Sequence, residues 1–352
     1  MLIKNTNDQE YQIQELKVEL KKLNNKKILL TGGLGFLGYN FLLLFNFLIT
    51  NKQYNVNIIV YDIIDKKKLP SWFLNLSKKI KYRKENIIDK KKFPNVDYII
   101  HAASIASPTY YRKYPIETMD ANVIGLRNLL DFYKNKKISS FLFFSTSEIY
   151  GDPDKNNIPT KENYRGNVSC TGPRACYDES KRYGETLCVN FYKKFKIPVK
   201  IVRPFNNYGP GLNINDKRVI PDFSKNILNN QKIILFSDGK PSRTFCYISD
   251  AIVGYLKVLI RGKNGDSYNI GNNKPEVSME KLAKLMIKIA NKKYNYTKKL
   301  VKKKNKDKNY LIDNPNRRCP DLSKSKNNLK FFPKIDLITG LNKTLDWYKK
   351  NK

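Results

Sequence analysis

Residues 27–38 read Lys-Ile-Leu-Leu-Thr-Gly-Gly-Leu-Gly-Phe-Leu-Gly, and this stretch decides the fold. It predicts an apolar strand that runs into Gly32-x-x-Gly35-x-x-Gly38 and then into an apolar helix over 39–49. A second apolar strand over 57–61 ends at Asp62. Such glycines let the backbone approach a pyrophosphate, the helix N-terminus favours its negative charge, and the acidic residue binds ribose hydroxyls. The stretch therefore predicts a binding site for a nicotinamide dinucleotide.

Asp62 decides which dinucleotide we expect. A carboxylate at this position would repel a 2′-phosphate, so the predicted cofactor is NAD and not NADP. Three lysines just downstream, Lys66, Lys67 and Lys68, could supply counter-charge for that phosphate and leave NADP as the alternative.

The rest of the chain continues the alternation of strand and helix. Apolar strand-like runs occur at 27–31, 58–62, 98–102, 141–145 and 199–202, with helical stretches between them. This order predicts an α/β fold, a Rossmann-type doubly wound parallel sheet whose binding crevice lies at the carboxyl ends of the strands.

We expect three regions along the chain. Residues 1–25 form an N-terminal helical extension. The NAD-binding domain covers 26–204, and 243–270 return to it. A smaller α/β lobe that binds the substrate is predicted from 205–242 and 271–352, where the pattern is less regular.

The N-terminal extension carries apolar residues at heptad-like spacing, namely Ile13, Leu16, Leu20 and Leu23. This spacing predicts a helix laid on the domain or against a partner, and two heptads are too few for a coiled coil. The lysine-rich stretch 291–309 is predicted to be a mobile loop.

The composition argues against several classes of protein. The 67 Lys and Arg against 31 Asp and Glu give a net charge of +36, but the lysines run along the entire chain and no nucleic-acid-binding motif accompanies them. We therefore expect no nucleic-acid partner. Five scattered cysteines and one histidine support neither a disulfide framework nor a metal site, and they indicate a reducing, cytoplasmic compartment. The apolar run 34–49 is shorter than the ~20 residues that a bilayer requires, so no membrane span is expected.

Tyr177-x-x-x-Lys181, downstream of Ser145-Thr-Ser-Glu148, is the motif that indicates chemistry. Four residues apart on a helix, the tyrosine and the lysine share one face. The ammonium group can there lower the pKa of the phenol, which is about 10 when free, so that the tyrosine acts as a base near neutral pH. Such a pair also occurs on solvated helix surfaces, but beside a dinucleotide site it indicates oxidation of an alcohol.

Several further motifs carry a family resemblance. They are His101-Ala-Ala-Ser-Ile-Ala-Ser-Pro108, Tyr114-Pro115, Asn122-Val-Ile-Gly125, Ser145-Thr-Ser-Glu-Ile-Tyr-Gly-Asp-Pro153, the segment 166–181, Arg203-Pro-Phe-Asn-Asn-Tyr-Gly-Pro210, Arg243-Thr-Phe-Cys-Tyr-Ile-Ser-Asp250 and Arg317-Arg-Cys-Pro-Asp321. In these motifs the chain resembles the extended short-chain dehydrogenase/reductases of the NAD-dependent epimerase/dehydratase family, which act on nucleotide sugars. Within that family it looks most like the UDP-glucuronate decarboxylases, and the resemblance runs from about residue 26 onward.

The resemblance implies a sequence of chemical steps. Tyr177 removes the proton of the sugar 4-hydroxyl while NAD takes the hydride from C4, Thr146 shares a hydrogen bond with that hydroxyl, and Lys181 binds the nicotinamide ribose. The 4-keto group then stands β to the C6 carboxylate of a glucuronic acid, so CO2 can leave. Reprotonation at C5 and return of the hydride give a pentose. The implied activity is that of an NAD-dependent carboxy-lyase, which converts UDP-glucuronic acid to UDP-xylose.

The residues beside Thr146 decide between branches of the family. The 4,6-dehydratases carry an aspartic acid that protonates the departing C6 hydroxyl, at the position where this chain has Ser147. A serine cannot be that acid at neutral pH, which argues for decarboxylation. Glu148 and Arg318 complete the decarboxylation set that the resemblance implies, and an arginine can bind a carboxylate with two hydrogen bonds.

The resemblance also assigns the remaining contacts. Cofactor binding falls on Gly32, Gly35, Phe36, Leu37, Gly38, Asp62, Asn86, Ile87, Ala102, Ala103, Ser104, Asn122, Tyr177 and Lys181. Substrate binding falls on Asn206, Arg218, Phe236, Arg243 and Arg318, with the Phe236 ring against the base. Asn86 replaces the aspartate that the family usually has near the adenine, but its side-chain carbonyl can still accept that bond. A homodimer is also implied, in which helices around 121–135 and 177–194 pair as a four-helix bundle.

Two other functions stay open at this point. One is another nucleotide-sugar activity, either dTDP-glucose 4,6-dehydration or 4-epimerisation. The other is a catalytically inactive Rossmann protein that senses a dinucleotide and regulates a partner. Such sensors typically lose the tyrosine or the lysine, and this chain retains both Tyr177 and Lys181.

Overall fold

The computed structural model describes residues 6–304, 307 and 312–351, which form an α/β structure. The strands are β1 (Lys27–Thr31), β2 (Asn57–Asp62), β3 (Ile80–Lys84), β4 (Tyr98–His101), β5 (Ser140–Phe144), β6 (Val199–Pro204), β7 (Asn207–Tyr208), β8 (Ile233–Leu235), β9 (Ser242–Arg243), β10 (Cys246–Tyr247), β11 (Ser267–Ile270), β12 (Val277–Ser278), β13 (Leu300–Lys302) and β14 (Arg317–Arg318). The α-helices are α1 (Thr6–Glu15), α2 (Lys17–Lys21), α3 (Phe36–Asn51), α4 (Ser71–Leu74), α5 (Pro108–Lys113), α6 (Pro115–Asp120), α7 (Leu126–Tyr133), α8 (Ala175–Phe195), α9 (Val219–Leu228), α10 (Ile248–Arg261), α11 (Met279–Tyr294), α12 (Ser323–Leu329) and α13 (Leu337–Lys350).

A seven-stranded sheet lies at the centre, in the order β11-β6-β5-β4-β1-β2-β3. Every neighbouring pair is parallel. The chain crosses from one side of β1 to the other between β3 and β4, so the strand order reverses between β1 and β4. Ligands of such sheets bind outside the carboxyl ends of the strands at this reversal. The predicted doubly wound parallel sheet is confirmed.

Both faces of the sheet are buried, which explains why its strands read as continuous apolar runs. In β1, Leu29 packs in one layer with residues of α7 and α8, whereas Ile28 and Leu30 pack in the other with α3 and α10. The layers alternate because successive residues of a strand point to opposite faces. The helix predicted over 39–49 spans Phe36–Asn51, and within the described residues no helix is long and apolar enough to cross a membrane.

The N-terminal extension is helical, as predicted, and packs on this chain. Leu16, Leu20 and Leu23 are fully buried. The Tyr247 hydroxyl donates to Asp8 Oδ2 at 2.7 Å, and Tyr11 donates to Asp250. Lys343 of the C-terminal helix α13 also donates to Asp8. The extension therefore packs on α10 and α13, and it does not leave its apolar stripe open for a partner.

Three small sheets lie beyond β6. They pair β10 with β7, β12 and β14 with β9, and β13 with β8. The predicted loop 291–309 is wrong in part, because α11 continues to Tyr294 and β13 pairs with β8 inside that stretch. Positions 305, 306, 308 and 309 lie outside the described residues. The division into a cofactor domain and a substrate lobe stays a prediction.

Candidate active site

A cavity of about 830 Å³ lies at the carboxyl ends of β1, β4 and β5 and extends under β8 and β9. This volume is within the usual range for small-molecule and cofactor sites. The predicted site residues in its lining are Gly32, Gly35, Phe36, Leu37, Ala102, Ser104, Thr146, Ser147, Glu148, Tyr177, Lys181, Asn206, Arg218, Phe236, Arg243 and Arg318. Six others lie outside the lining, namely Gly38, Asp62, Asn86, Ile87, Ala103 and Asn122.

The glycine loop after β1 fits a pyrophosphate. Gly32 has a φ of +70°, and a Cβ there would stand 2.7 Å from the Ala103 backbone, so only glycine is accommodated. Gly38 lets α3 approach the loop, because a Cβ would lie 2.4 Å from the Gly33 carbonyl oxygen. The helix begins after Gly35 without a capping side chain and without an acidic residue in its first turn. Its first amide groups are thus available for an anion.

Asp62 ends β2 and is fastened to the glycine loop. Its Oδ2 accepts the Leu34 N–H at 2.9 Å, and its Oδ1 accepts the Ile63 N–H at 2.8 Å. Burial raises the pKa of Asp62, and these backbone hydrogen bonds act against that rise. The carboxylate is therefore held beside the loop where a ribose is expected.

Asn122 supports the cofactor edge from behind. It lies in a π-helical turn, Ala121–Gly125, that joins α6 to α7. Its Oδ1 accepts from Ser104 Oγ at 2.7 Å, and its Nδ2 donates to Ser180 Oγ at 2.9 Å. Asn122 is fully buried, and its hydrogen bond orients Ser104. Its predicted contact with the cofactor stays a prediction.

Two predicted cofactor contacts, Asn86 and Ile87, lie away from the cavity lining. Asn86 Oδ1 accepts the Ile88 N–H at 3.2 Å, which leaves its second lone pair for another donor. Ile87 is buried against Gly125, where a Cβ would stand 2.6 Å from the isoleucine side chain. The contact of Asn86 with the adenine and the contact of Ile87 with the cofactor stay predictions.

Tyr177, Lys181 and Thr146 meet at the end of β5. Tyr177 and Lys181 lie in the first two turns of α8, and Thr146 lies two residues after the end of β5. Lys181 Nζ donates to the Phe144 carbonyl at 2.8 Å and lies 5.8 Å from the centre of the Tyr177 ring. The shared helix face predicted from the spacing places both side chains in the cavity wall.

The pKa of Tyr177 shifts in the direction opposite to the one predicted from the Tyr177–Lys181 spacing. Burial raises it, while a hydrogen bond with Thr146 and the charge of Arg218 act to lower it. Burial also lowers the pKa of Lys181 to about 7. The predicted direction of the Tyr177 pKa shift was wrong, because a helical spacing carries no information on how deeply both groups are buried. The role of Tyr177 as the base stays a prediction.

Glu148 lies among three arginines. Arg318 donates through Nη2 to Glu148 Oε2 at 2.6 Å and through Nη1 to Oε1, and Arg174 Nη2 donates to the same Oε2. Burial acts to raise the pKa of Glu148, but Arg174, Arg318 and Arg243 outweigh it and hold that pKa at about 2. Glu148 is thus an anion at every ordinary pH, and Arg318 is a buried cation and not a surface charge.

The remaining predicted substrate residues also line the cavity. Arg243 donates to the carbonyls of Ser242 and Pro315, and burial together with Arg318 lowers its pKa to about 9. Arg218 pairs with Asp216, with Nη2 to Oδ2 at 3.0 Å. Phe236 and Asn206 lie in the same lining. Their assignment to the nucleotide part stays a prediction.

Two residues of the wall, Arg174 and Tyr111, were not among the predicted site residues. Tyr111 stacks on Tyr177 with ring centres 4.9 Å apart and an interplanar angle of 6°. Arg174 stands three residues before Tyr177. The sequence does not indicate that the turn before α8 faces the cavity, so its spacing alone did not identify Arg174 as a site residue. Among the residues that the structure describes, the cavity wall included, no group of three or more His, Cys, Asp or Glu could hold a metal ion.

Comparison with known proteins identifies relatives over most of the chain. The model of the NAD dependent epimerase/dehydratase family matches residues 28–271. UDP-glucuronic acid decarboxylase 6 of Arabidopsis thaliana is 35% identical over 322 residues, covering 90% of this chain and 87% of that protein. UDP-glucuronic acid decarboxylase 1 of Xenopus tropicalis is 33% identical over 342 residues, covering 94% of this chain and 74% of that protein. The structure of UDP-glucuronic acid 4-epimerase from Bacillus cereus in complex with UDP-glucuronic acid and NAD is 26% identical, with a TM-score of 0.74, covering 93% of this chain and 100% of that chain.

Proposed function

The chain belongs to the NAD dependent epimerase/dehydratase family, and we propose that within it the protein is an NAD-dependent decarboxylase that converts UDP-glucuronic acid to UDP-xylose. The observation that carries this function is the wall of the cavity beside Tyr177. There Ser147 stands where a dehydratase needs a carboxylic acid, and Arg318 is held at the same wall by Glu148. This chain covers 87% and 74% of the length of the two decarboxylases described above, and their similarity supports the same activity.

The residues present fit NAD at the carboxyl ends of β1 and β2. The uncapped amides at the start of α3 can hold the pyrophosphate. Asp62 can bind the adenosine ribose, and Lys181 can bind the nicotinamide ribose. When bound, NAD supplies the oxidant for C4 and a positively charged ring whose field favours an ionised tyrosine.

Tyr177 and Thr146 act on the sugar 4-hydroxyl. The buried phenol is protonated at neutral pH in the protein alone, because burial raises its pKa. Thr146 and Arg218 favour the ionised form, and Tyr177 in that form accepts the hydroxyl proton as C4 is oxidised. The tyrosine then returns this proton when C4 is reduced again at the end of the cycle.

Loss of CO2 follows from the 4-keto group, which stands β to the C6 carboxylate. The C5–C6 bond breaks with its electrons delocalised into an enolate, and C5 then takes up a proton. No hydroxyl leaves, so this branch requires no acid at Ser147, a buried serine. Arg318 offers a positive charge for the carboxylate until it departs as neutral CO2.

The test of this function follows CO2 release and product mass together, with NAD and a panel of sugar nucleotides. UDP-glucuronic acid should give CO2 and a UDP-pentose, and dTDP-glucose should give no 4-keto-6-deoxy product. The Tyr177→Phe variant is the control for enzyme-dependent turnover. Return of UDP-glucuronic acid only as its C4 epimer, or efficient dehydration of dTDP-glucose, would show another activity of the same family.

A homodimer in the cytoplasm completes the proposal. Large apolar side chains are exposed along the segment 110–124 and on α8, among them Ile116 at 59% and Tyr183 at 51%. A second copy that pairs the helices around 121–135 and 177–194 would cover Tyr183 and Ile124. The five free cysteines of the chain are compatible with a reducing compartment, which supports the cytoplasm as the location. Light scattering after size exclusion should give twice the 41.1 kDa chain mass, and Tyr183→Glu should reduce it to one chain.

A further inference from the structure

Asp178 is a buried carboxyl group beside the active site that no step of the proposed reaction uses. It follows Tyr177 directly in α8, is 4% exposed and lies outside the cavity lining. Its Oδ2 lies 3.8 Å from Arg174 Nε, too far for a hydrogen bond. Its Oδ1 has no hydrogen-bond partner in the part of the chain that the structure describes. This carboxyl is poorly prepared to carry a negative charge, because a buried anion requires donors.

Asp250 shows how this chain holds a buried carboxyl that serves the fold. It is 1% exposed and also lies outside the cavity lining. Its Oδ1 accepts the Lys334 N–H at 3.0 Å and the Tyr11 hydroxyl, and its Oδ2 accepts the Ile335 N–H at 2.9 Å. Both oxygens of Asp250 therefore fasten one segment to another, whereas Oδ1 of Asp178 fastens none among the described residues.

The charges around Asp178 come from several elements of the chain. Burial and the charge of Glu148 raise its pKa to about 8, and Arg174 and Arg318 act against that rise. Asp313, which is exposed, adds a charge of the same sign as Glu148. The uncharged titratable groups nearby are Tyr111, Cys176 and Tyr177, whose own pKa values burial raises. Asp178 therefore changes charge close to physiological pH, whereas Glu148, with a pKa of about 2, does not.

Hydrogen bonds connect these charges to the cavity. Arg174 and Arg318 both line the cavity, and both donate to Glu148 Oε2. In the proposed function, Arg318 faces the carboxylate of the sugar. That carboxylate brings a negative charge to the arginines that otherwise favour ionisation of Asp178, and a like charge nearby favours the protonated form of a carboxyl. Binding of the anionic sugar and ionisation of Asp178 therefore oppose each other.

We propose that Asp178 couples the binding of the uronic acid carboxylate to the uptake of a proton, acting through the arginines of the cavity wall. Asp178 is a positioning residue in this role, because it does not line the cavity. The preference for the nucleotide-linked uronic acid over the corresponding neutral sugar is strongest where Asp178 is neutral, and it declines as Asp178 ionises. This inference rests on the proposed function, to which it adds control of substrate choice by pH.

The first experiment measures the affinities of UDP-glucuronic acid and UDP-glucose by calorimetry on NAD-loaded protein, at about pH 7 and about pH 9. All proteins carry Tyr177→Phe, so that no substrate is turned over during the titration. The ratio of the two affinities should fall by ~5-fold to ~10-fold over this range, because the neutral fraction of Asp178 falls from about nine tenths to about one tenth. Titrations that affect both ligands alike, such as that of Lys181, cancel in this ratio.

The second experiment repeats the titrations at about pH 9 in buffers that differ in their heat of ionisation. The dependence of the binding heat on the buffer gives the number of protons that binding takes up. UDP-glucuronic acid should take up about 0.5–1 proton more than UDP-glucose, because Asp178 is ionised at this pH in the free protein. At about pH 6 the two ligands should take up the same number, since Asp178 already holds its proton.

Two variants make the result specific. Asp178→Asn has the shape and charge of the neutral carboxyl, so its affinity ratio should stay at the value of the parent near pH 7, and its excess proton uptake should vanish. Glu162→Gln is the matched control, because Glu162 is another carboxyl whose pKa burial raises, and it lies outside the cavity lining. This control should keep the pH dependence of the parent. A merely structural role for Asp178 would change the thermal stability of Asp178→Asn and leave the pH dependence of the ratio as in the parent.

The outcomes separate this inference from the proposed function. An affinity ratio that is the same at both pH values, or equal proton uptake with both ligands, refutes the coupling, while release of CO2 and a UDP-pentose would still support the decarboxylase. The pH dependence of the parent, if it persists in Asp178→Asn, also refutes the coupling. If Asp178→Asn does not fold, the proton uptake of the parent remains the deciding measurement. If the coupling is observed but product analysis yields only the C4 epimer, the coupling stands and the decarboxylase does not.

Discussion

Replacing Glu148 by glutamine tests the charge arrangement of the site most directly. The substitution keeps the size of the side chain and removes its negative charge. Arg318 and Arg174 then lose the anion that they share. Glu148→Gln should therefore destabilise the fold and make the site more attractive to an anionic sugar.

The magnitude follows from the burial of the pair. Breaking a buried ion pair by removing one partner costs about 3–5 kcal/mol of unfolding free energy. Asp178 offsets part of this cost: burial and the charge of Glu148 together raise its pKa to about 8, so loss of the Glu148 charge favours its ionisation near Arg174. We therefore expect the lower end of that range, about 3 kcal/mol.

The assay is denaturant unfolding of the parent and of Glu148→Gln, repeated with saturating UDP-glucuronic acid and with UDP-glucose. UDP-glucuronic acid should stabilise the variant more than it stabilises the parent, because its carboxylate restores the missing charge. UDP-glucose should stabilise both proteins equally. Glu185→Gln is the matched control, since Glu185 pairs with Arg203 at 2.6 Å outside the cavity.

The control variant should lose stability without the extra response to UDP-glucuronic acid. A cost for Glu148→Gln below about 1 kcal/mol, which is the range of exposed ion pairs, would refute the buried-pair reasoning. An equal response of Glu148→Gln and Glu185→Gln to UDP-glucuronic acid would refute the claim that this wall receives a carboxylate.

Three other predictions concern the reaction and the cofactor. Tyr177→Phe should lower turnover by ~10²–10⁴-fold with NAD affinity unchanged in calorimetry, because only the proton acceptor is lost, and activity within a few-fold of the parent would identify another base. The protein should bind NAD more tightly than NADP, because the carboxylate beside the glycine loop repels a 2′-phosphate. Asp62→Asn should reduce the difference between the two affinities. Equal affinities of the parent for NAD and NADP would contradict this prediction. Burial lowers the pKa of Lys181 from 10.5 to about 7, so between these values the unfolded chain holds a proton that the folded chain has lost. The stability measured by thermal unfolding should therefore contain a contribution that rises with pH from about 7 to 10.5. This contribution should be absent in Lys181→Met. Identical pH profiles of stability for the two proteins would exclude the lowered pKa of Lys181.

Much of the fold and of the candidate site could be predicted from local sequence. Residues 27–38 specify a strand, a tight loop and a helix, and glycine is required wherever the loop approaches other backbone. The alternating apolar runs then imply a parallel sheet. Because the carboxyl ends of parallel strands lie at one edge, the glycine loop, Ser104 and Thr146 had to meet there, although they are far apart in the chain.

The tertiary structure alone decided how the charges of that edge are arranged. The pair of Glu148 with Arg318 spans 170 residues, and no periodicity or spacing indicates that Arg174 shares the same carboxylate oxygen. The direction of the Tyr177 pKa shift also depended on packing, because burial outweighed the hydrogen bond and the charge that lower it. Local sequence determines strands, turns and helix faces, since these depend on neighbouring residues. Desolvation and ion pairing depend on which distant segments close over a group, and only the folded chain specifies them.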